Sequence, residues 1–556
     1  MNPEDFIQSS PELKNPFFSN QILQGILKST LSQDLYKTLF SALETFGKCI
    51  IEEVHPLGLL AERNPPIHIP YTSWGKRCDT IETHKSWEQL KDFSAKQGLV
   101  ADGYERSFGE YSRIVQMSKL FLFHPSSAFY KCLLAMTDGA AKVFELYGQN
   151  DDIFKKAMKH LTSRDPEIFW TSGQWMTEKT GGSDVSETST IATPNKDHYL
   201  LSGIKWFSSA TTSEMTLALA RLPEAPKGSR GLSLFYIPVR DNHGELNGIT
   251  VRRLKDKLGT RALPTAELTL NKTKSWLIGE PNKGVKTVAT MLNITRLYNS
   301  ICAVGQMDRA LHLLKNYSHS RIVFNKPLSQ QPLFINVFTK MNCQLYASAS
   351  LTFEVARLLG KEETHQANSD EKYLLRLLTP ITKLFTAKQS VTVTSEALES
   401  FGGAGYIEDT EIPVLLRDAQ VFPIWEGATN VLSLDVLRVM KDPQAYTAFH
   451  QVLNKKINAL SKNHEKPMAH LQNYLNLMSQ FINTHQTETL EFLQMTSRTL
   501  AWKMAELYAS ILMFEHAKNS QDPHLNSLAH IWSQQIYFDL NPQQIRQTLE
   551  LKPYLI

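Results

Sequence analysis

The sequence predicts an α+β chain, in which a short β domain sits between largely helical segments. Three observations carry this. Apolar residues recur at helical spacing in the first part of the chain, the period changes across 171–275, and the helical period returns from Gly284 and persists. The expected order is an N-terminal helical domain (1–170), a small middle antiparallel β domain (171–275), a C-terminal helical domain (276–440) and a helical C-terminal extension (441–556).

Each element has its own signal. From Asn20 to Ile51, Ile22, Leu23, Ile26, Leu27 and Leu31 fall on one helical face. The run Asn64-Pro65-Pro66-Ile67-His68-Ile69-Pro70 breaks that pattern and reads as an extended loop. Helical character resumes through 86–97 and 105–160. Within 171–275, the segments 199–203, 216–220, 232–237 and 266–270 read as short strands, and Pro194-Asn195-Lys196-Asp197 reads as a turn between them. A sandwich and a barrel both fit such strands. Apolar periodicity then runs through 284–320, 330–360 and 371–400, and Gly402 and Gly403 punctuate the last helix. The extension is helical, without repeat or low-complexity tract.

The chain of 556 residues is 42% hydrophobic and 21% charged, an ordinary globular mix. Its net charge of +4 does not point to nucleic acid or membrane. Five widely spaced cysteines suggest neither a disulfide framework nor a zinc site, and fit free thiols in the cytoplasm. Met1-Asn2-Pro3-Glu4-Asp5 lacks the basic and apolar regions of a secretory signal, and no run of about 18 apolar residues is present. No P-loop, GxSxG or HExxH pattern occurs, and no metal site is expected.

Four segments carry chemistry. In Trp175-Met176-Thr177-Glu178-Lys179-Thr180-Gly181-Gly182-Ser183-Asp184, paired glycines let the backbone approach a flat or anionic ligand, and Thr177 and Ser183 add donors. Arg321, in Arg321-Ile322-Val323-Phe324, reads either as a helix C-terminal cation or as a phosphate clamp. The cluster Gly402-Gly403-Ala404-Gly405 reads, taken alone, as a helix stop. In Pro423-Ile424-Trp425-Glu426-Gly427, a carboxylate hemmed by Ile424 and Trp425 would be desolvated and so a stronger base when ionised.

Together and in this order, these segments resemble the acyl-CoA dehydrogenase family, over roughly 100–440. The phrases Met176-Thr177-Glu178-Lys179, Leu254-Lys255-Asp256-Lys257-Leu258-Gly259, Met291 to Arg296 and Ile424-Trp425-Glu426-Gly427 are similar to its AidB-like subgroup of adaptive-response flavoproteins. Asn64-Pro65-Pro66 and the long extension suit that subgroup too. The resemblance implies a four-helix bundle for 276–440 and FAD as cofactor. Met176, Thr177, Gly182 and Ser183 would border the flavin, with Trp206 packed on it and Ser208 near N5. Arg321, Phe324 and Gln331, with Gly402 and Gly403, would hold the diphosphate and adenine end of a neighbouring subunit's FAD. Trp425, Thr429 and Asn430 would complete the site, and Arg296, Ser183 and Gly427 would meet the substrate. Lys179, where ordinary dehydrogenases commonly have proline, fits the AidB-like branch; Ala428 stands where threonine is frequent.

The implied reaction is α,β-dehydrogenation of an acyl-CoA thioester, with Glu426 taking the α-proton and the β-hydride passing to flavin N5. Some family members carry the base near Thr295; Ile294 and Thr295 offer none here, which leaves Glu426. The resemblance further implies a homotetramer and an electron-transferring flavoprotein as acceptor. It brings two alternatives: a low-activity acyl-CoA or fatty-acyl sensor, and a DNA-associated protective flavoprotein. For the latter, 441–556 holds ten Lys and Arg against nine Asp and Glu, a balance of +1. Lys455, Lys456, Lys462 and Lys466 could form a local patch or a solvated helix face.

Overall fold

The helix read from Asn20 to Ile51 is broken at Leu31, whose backbone is extended, giving helices Gln21–Thr30 and Gln33–Cys49. The Asn20 side chain caps the first by accepting from the Leu23 N–H. The structure, a computed structural model, describes residues 8–149 and 151–550. Met1 to Asp5 and Lys552 lie outside the described residues. Two compact units are present, one of residues 49–107 and 122–298, the other of 8–48, 108–121 and 299–550.

The first unit is built on strands. Where an extended loop is expected after Asn64, β1 (Ile67–Tyr71) pairs antiparallel with β2 (Arg77–Glu82). Pro70 falls where the register shifts between Ile69 and Tyr71, a position that tolerates the missing N–H. The main sheet contains β3 (Ser172–Trp175), β4 (Ile191–Asn195), β5 (His198–Ser209), β6 (Met215–Arg221), β7 (Leu232–Pro238), β8 (Ile249–Leu254) and β9 (Thr265–Ile278). The order runs β3-β6-β4-β5-β9-β7, β8 lies on β9, and β7 returns to β6, so the sheet closes into a barrel. It is not wholly antiparallel. β3 runs parallel to β6 from Ser172↔Met215 to Trp175↔Ala218, and β4 meets β6 in parallel at Ile191↔Arg221. A parallel partner needs a long crossover, and the 176–214 stretch that carries β4 and β5 supplies it for β3. Trp175, Leu201, Ala218, Phe235, Ile237, Val251 and Leu268 fill the barrel interior, each large side chain contributing roughly 1.5–3 kcal/mol by leaving water. Asp79 fastens the β1–β2 hairpin to the barrel. It accepts from Arg77 Nε at 2.8 Å and from the Val251 N–H at 3.2 Å, while Arg77 Nη2 donates to the Val251 carbonyl.

The second unit is helical. The expected helices appear as Gly284–Ser320, which contributes residues 299–320 here, Pro332–Glu363 and Ser369–Ser400. A capping box of Asn368 and Glu371 starts the last of them. The extension is part of the same core. Its helix Leu490–Ser520 packs on Gln21–Thr30, Pro332–Glu363, Ser369–Ser400 and Thr429–Val439. Leu507, Tyr508, Ile511 and Leu512 are buried there, and the Tyr346 hydroxyl donates to the Met513 carbonyl.

A buried ion pair pins the 108–121 segment to this core. Arg113 donates through Nε and Nη2 to Glu363 at 2.7 and 2.8 Å, with both side chains at most 2% exposed. Arg113→Met strands the Glu363 carboxylate and should cost about 3–5 kcal/mol. The double variant Arg113→Met/Glu363→Leu should recover most of that. Chemical denaturation midpoints of the three proteins check the pair.

Candidate functional site

In the β unit, the glycine-rich loop after β3 is braced from below. Glu178, 3% exposed, accepts from the Ser189 N–H and Oγ, from the Thr190 N–H and Oγ1, and from Lys205 Nζ at 2.8 Å. Lys205, fully buried on β5, also donates to the Leu219 carbonyl on β6 at 2.8 Å. Burial alone pushes the Glu178 carboxyl up; the Lys205 ammonium and the hydrogen bonds outweigh that and bring it to about 2. Burial draws the Lys205 ammonium down, with Glu178 opposing. Glu178 also exchanges backbone hydrogen bonds with Gly181, each 3.2 Å, which turns the loop tightly.

That brace sets the residues around it. The Trp206 N–H donates to the Thr177 carbonyl at 3.0 Å, joining loop to strand. A Cβ on Gly182 would stand 2.8 Å from Thr177 Oγ1, so glycine is required there by close approach. The β5–β9 register shifts between Lys205 and Ser208, leaving Lys205 buried, Phe207 exposed and Ser208 buried again. Ser208 Oγ is buried without a hydrogen-bond partner. The ammonium groups of Lys255 and Lys179 lie 3.8 and 5.0 Å from the Trp206 ring centroid. Met176 and Ser183 lie on the same loop. Arg296 is half-buried on the Gly284–Ser320 helix, next to Thr295, whose hydroxyl donates to the Leu292 carbonyl.

In the helical unit, Arg321 follows the helix end and opens a tight hairpin. Phe324 and Asn325 take left-handed φ values of +49° and +61°, and Gln331 Nε2 donates back to the Val323 carbonyl at 2.9 Å. Phe324 is 94% exposed. Gly402 has φ +65°, and a Cβ on it or on Gly403 would meet nothing within 4 Å. Trp425, Glu426 and Gly427 lead into the helix Thr429–Val439. Glu426 has φ +57°, a strained conformation for a non-glycine residue, and Gly427 has φ +105°. The buried Lys383 donates to the Gly427 carbonyl at 2.6 Å. Asn430 Oδ1 accepts from Arg498 of the extension at 3.0 Å.

One expectation fails: Ile424 is 65% exposed, so it does not wall Glu426 into an apolar pocket. The residues that sequence reading missed are Glu178, Lys205, Lys383 and Arg498. An acidic residue inside a glycine turn and a lysine just before Trp206 were visible signals for the first two. Of the basic residues in the extension, Lys456 is engaged by Glu515. Among the described residues no group of side chains is arranged to hold a metal ion, and no helix is long and apolar enough to cross a membrane.

The chain is similar to known proteins. The chain matches the adaptive response protein AidB N-terminal domain over 9–167 and the acyl-CoA dehydrogenase middle domain over 173–273. It matches the acyl-CoA dehydrogenase C-terminal domain over 282–441 and the acyl-CoA dehydrogenase 11 C-terminal domain-like family over 444–550. It is 42% identical to acyl-CoA dehydrogenase family member 11 of Caenorhabditis elegans, over 93% of this chain and 86% of that protein. The crystal structure of C. elegans ACDH-11 in complex with C11-CoA superposes with a TM-score of 0.96 at 38% identity, covering 100% of this chain and 97% of that one. Identity to the putative acyl-CoA dehydrogenase AidB of Escherichia coli is 32%, over 69% of this chain and 71% of that protein.

Glu178→Gln removes the countercharge of a buried ammonium and should cost about 3–5 kcal/mol at neutral pH. Because the folded carboxyl lies at about 2, below its ordinary 4.5, its contribution is complete above that ordinary value and is lost as pH falls toward 2. The gap in thermal midpoint between wild type and Glu178→Gln should therefore narrow across that window. A gap that stays constant with pH refutes the pair's role.

Proposed function

The chain belongs to the acyl-CoA dehydrogenase family of oxidoreductases, in its AidB-like branch, and from that premise we propose that it is an FAD-dependent enzyme that oxidises an acyl-CoA thioester at its α,β bond. The observation that carries this reading is Glu426. A carboxylate-bearing residue stands in a left-handed conformation, a buried lysine donates to the carbonyl of the next residue, and such strain clusters at active sites.

Two features of the chain support an FAD site. Ser208 offers a buried hydroxyl without a partner beside Trp206, which suits a hydrogen bond to the flavin. Gly402 and Gly403 face open space, where no part of the chain itself demands a missing side chain at Gly403. Met176, Thr177, Gly182, Ser183, Trp206 and Ser208 would hold the isoalloxazine end, with Trp425, Thr429 and Asn430 completing the site. Arg321, Phe324, Gln331, Gly402 and Gly403 would hold the diphosphate and adenine end from a neighbouring copy. The exposed Phe324 leaves that residue open to a neighbouring copy, in keeping with the homotetramer proposed here. FAD, when bound, supplies the hydride acceptor.

The protein's own part is positioning and proton transfer. The Glu426 backbone N–H polarises the thioester carbonyl, which acidifies the α-carbon. The Glu426 carboxylate takes the α-proton. Arg296, Ser183 and Gly427 meet the substrate. The C. elegans relative's complex with C11-CoA supports an acyl-CoA ligand. An electron-transferring flavoprotein is the class of partner that would reoxidise the enzyme.

Anaerobic titration of the purified protein with acyl-CoAs of increasing chain length should bleach the flavin absorbance with at least one of them. Glu426→Gln should retain FAD and slow that bleaching by about 10²–10⁴-fold. Retained flavin without bleaching by any acyl-CoA would sink the proposal.

A further inference from the structure

The β unit contains a cavity of about 460 Å³ between the β1–β2 hairpin, the helix Lys85–Lys96 and the barrel. That volume lies within the range of small-molecule sites. None of the residues assigned to flavin or acyl-CoA lines it, so it is a second site.

Its charge is strongly one-sided. Five carboxylates line it against two cations, Lys91 and Arg240. Two of the five are already satisfied. Asp79 is held by Arg77 and the Val251 N–H, and Glu214 by Lys91 together with the Thr171 N–H and hydroxyl. Glu88, Asp92 and Glu167 stand exposed at its rim with no ion-pair partner among the described residues. Glu88 and Asp92 stand one turn apart on the same helix, a like-charge spacing that a bound cation would relieve. Arg240 turns to the Gly244 carbonyl at 2.8 Å.

The second observation is Tyr130. Its side chain is 1% exposed and lines the cavity, and its hydroxyl has no hydrogen-bond partner among the described residues. Burial pushes its phenol up, and the charges of Glu214 and Asp92 push the same way, so the hydroxyl end sits in negative potential. The Trp87 ring packs edge-on against Tyr130 at 4.7 Å, and Trp175 adds a third aromatic wall. Aromatic faces beside unpaired carboxylates are the environment that binds an organic ammonium group.

We propose that this cavity binds a small organic ammonium cation, held by Asp92 and Glu88, the aromatic walls and the Tyr130 hydroxyl. A primary amine would donate to Tyr130 and the carboxylates. A quaternary ammonium bearing a hydroxyl would lie against the rings and bond Tyr130 through that hydroxyl.

The test is calorimetric titration of the full chain with putrescine, with choline and with 3,3-dimethyl-1-butanol, the uncharged isostere of choline. At least one cation should bind saturably, and about tenfold or more tightly than the isostere. Whether putrescine or choline wins tells a primary amine from a quaternary one. Tyr130→Phe and Asp92→Asn should each weaken that binding severalfold while leaving the thermal midpoint of the free protein in place. Absence of saturable binding by either cation into the millimolar range would overturn the proposal. So would an isostere that binds as tightly, or binding unchanged in both variants.

Discussion

The contact between Glu178 and Lys205 is the constraint on which the glycine-rich loop and its neighbouring strands depend. Taking two charges out of water costs several kcal/mol per ion, so such a pair persists only when each partner's remaining hydrogen-bonding capacity is used. Here it is. Glu178 receives Ser189, Thr190 and Lys205, and Lys205 also reaches the Leu219 carbonyl. The pair therefore ties three things at once: the glycine turn, the start of β4 and the β5–β6 region of the barrel. Trp206 follows Lys205 directly on β5 and so lies on a braced stretch of strand. The register shift after Lys205 then turns Ser208 inward.

The helical unit solves the same problem with a different donor. The loop before the helix Thr429–Val439 holds Glu426 in a left-handed backbone conformation that costs of order 1–3 kcal/mol. The helix Ser369–Ser400 supplies Lys383 under that loop. Farther along, Ser433 closes onto the Thr429 carbonyl and Arg498 reaches Asn430. The last contact ties the C-terminal extension to the start of the helix Thr429–Val439, from a helix whose inner face is core.

The sequence shows the long helices because their apolar period is sustained over many turns; Pro332–Glu363 and Ser369–Ser400 lie within a few residues of the segments read from it. The barrel is legible only in its apolar strands, such as β6, β7 and the first half of β9. β3, β4 and β8 are short and polar-edged, and β1 carries a proline, so periodicity alone passes them over. The parallel pairing of β3 with β6 is set by a crossover, and no local signal reports it. Within the candidate site, glycines and aromatics stand out in the sequence, whereas their supports do not. Lys383 and Arg498 act from helices where a lysine or arginine looks like any surface cation. The exposure of Ile424 shows the converse error: apolar neighbours in sequence need not be walls in space.

These supports share one logic. A loop that must hold an unfavourable backbone shape cannot rely on apolar packing, which is tolerant of small displacements. A charge-assisted hydrogen bond is worth about 1.5–3 kcal/mol and is directional. That is the same size as the strain at Glu426, so one such bond from Lys383 to the Gly427 carbonyl can offset it. The buried ammonium in turn gains an acceptor in that carbonyl, and burial of a charge is costly without acceptors. Each feature makes the other tolerable.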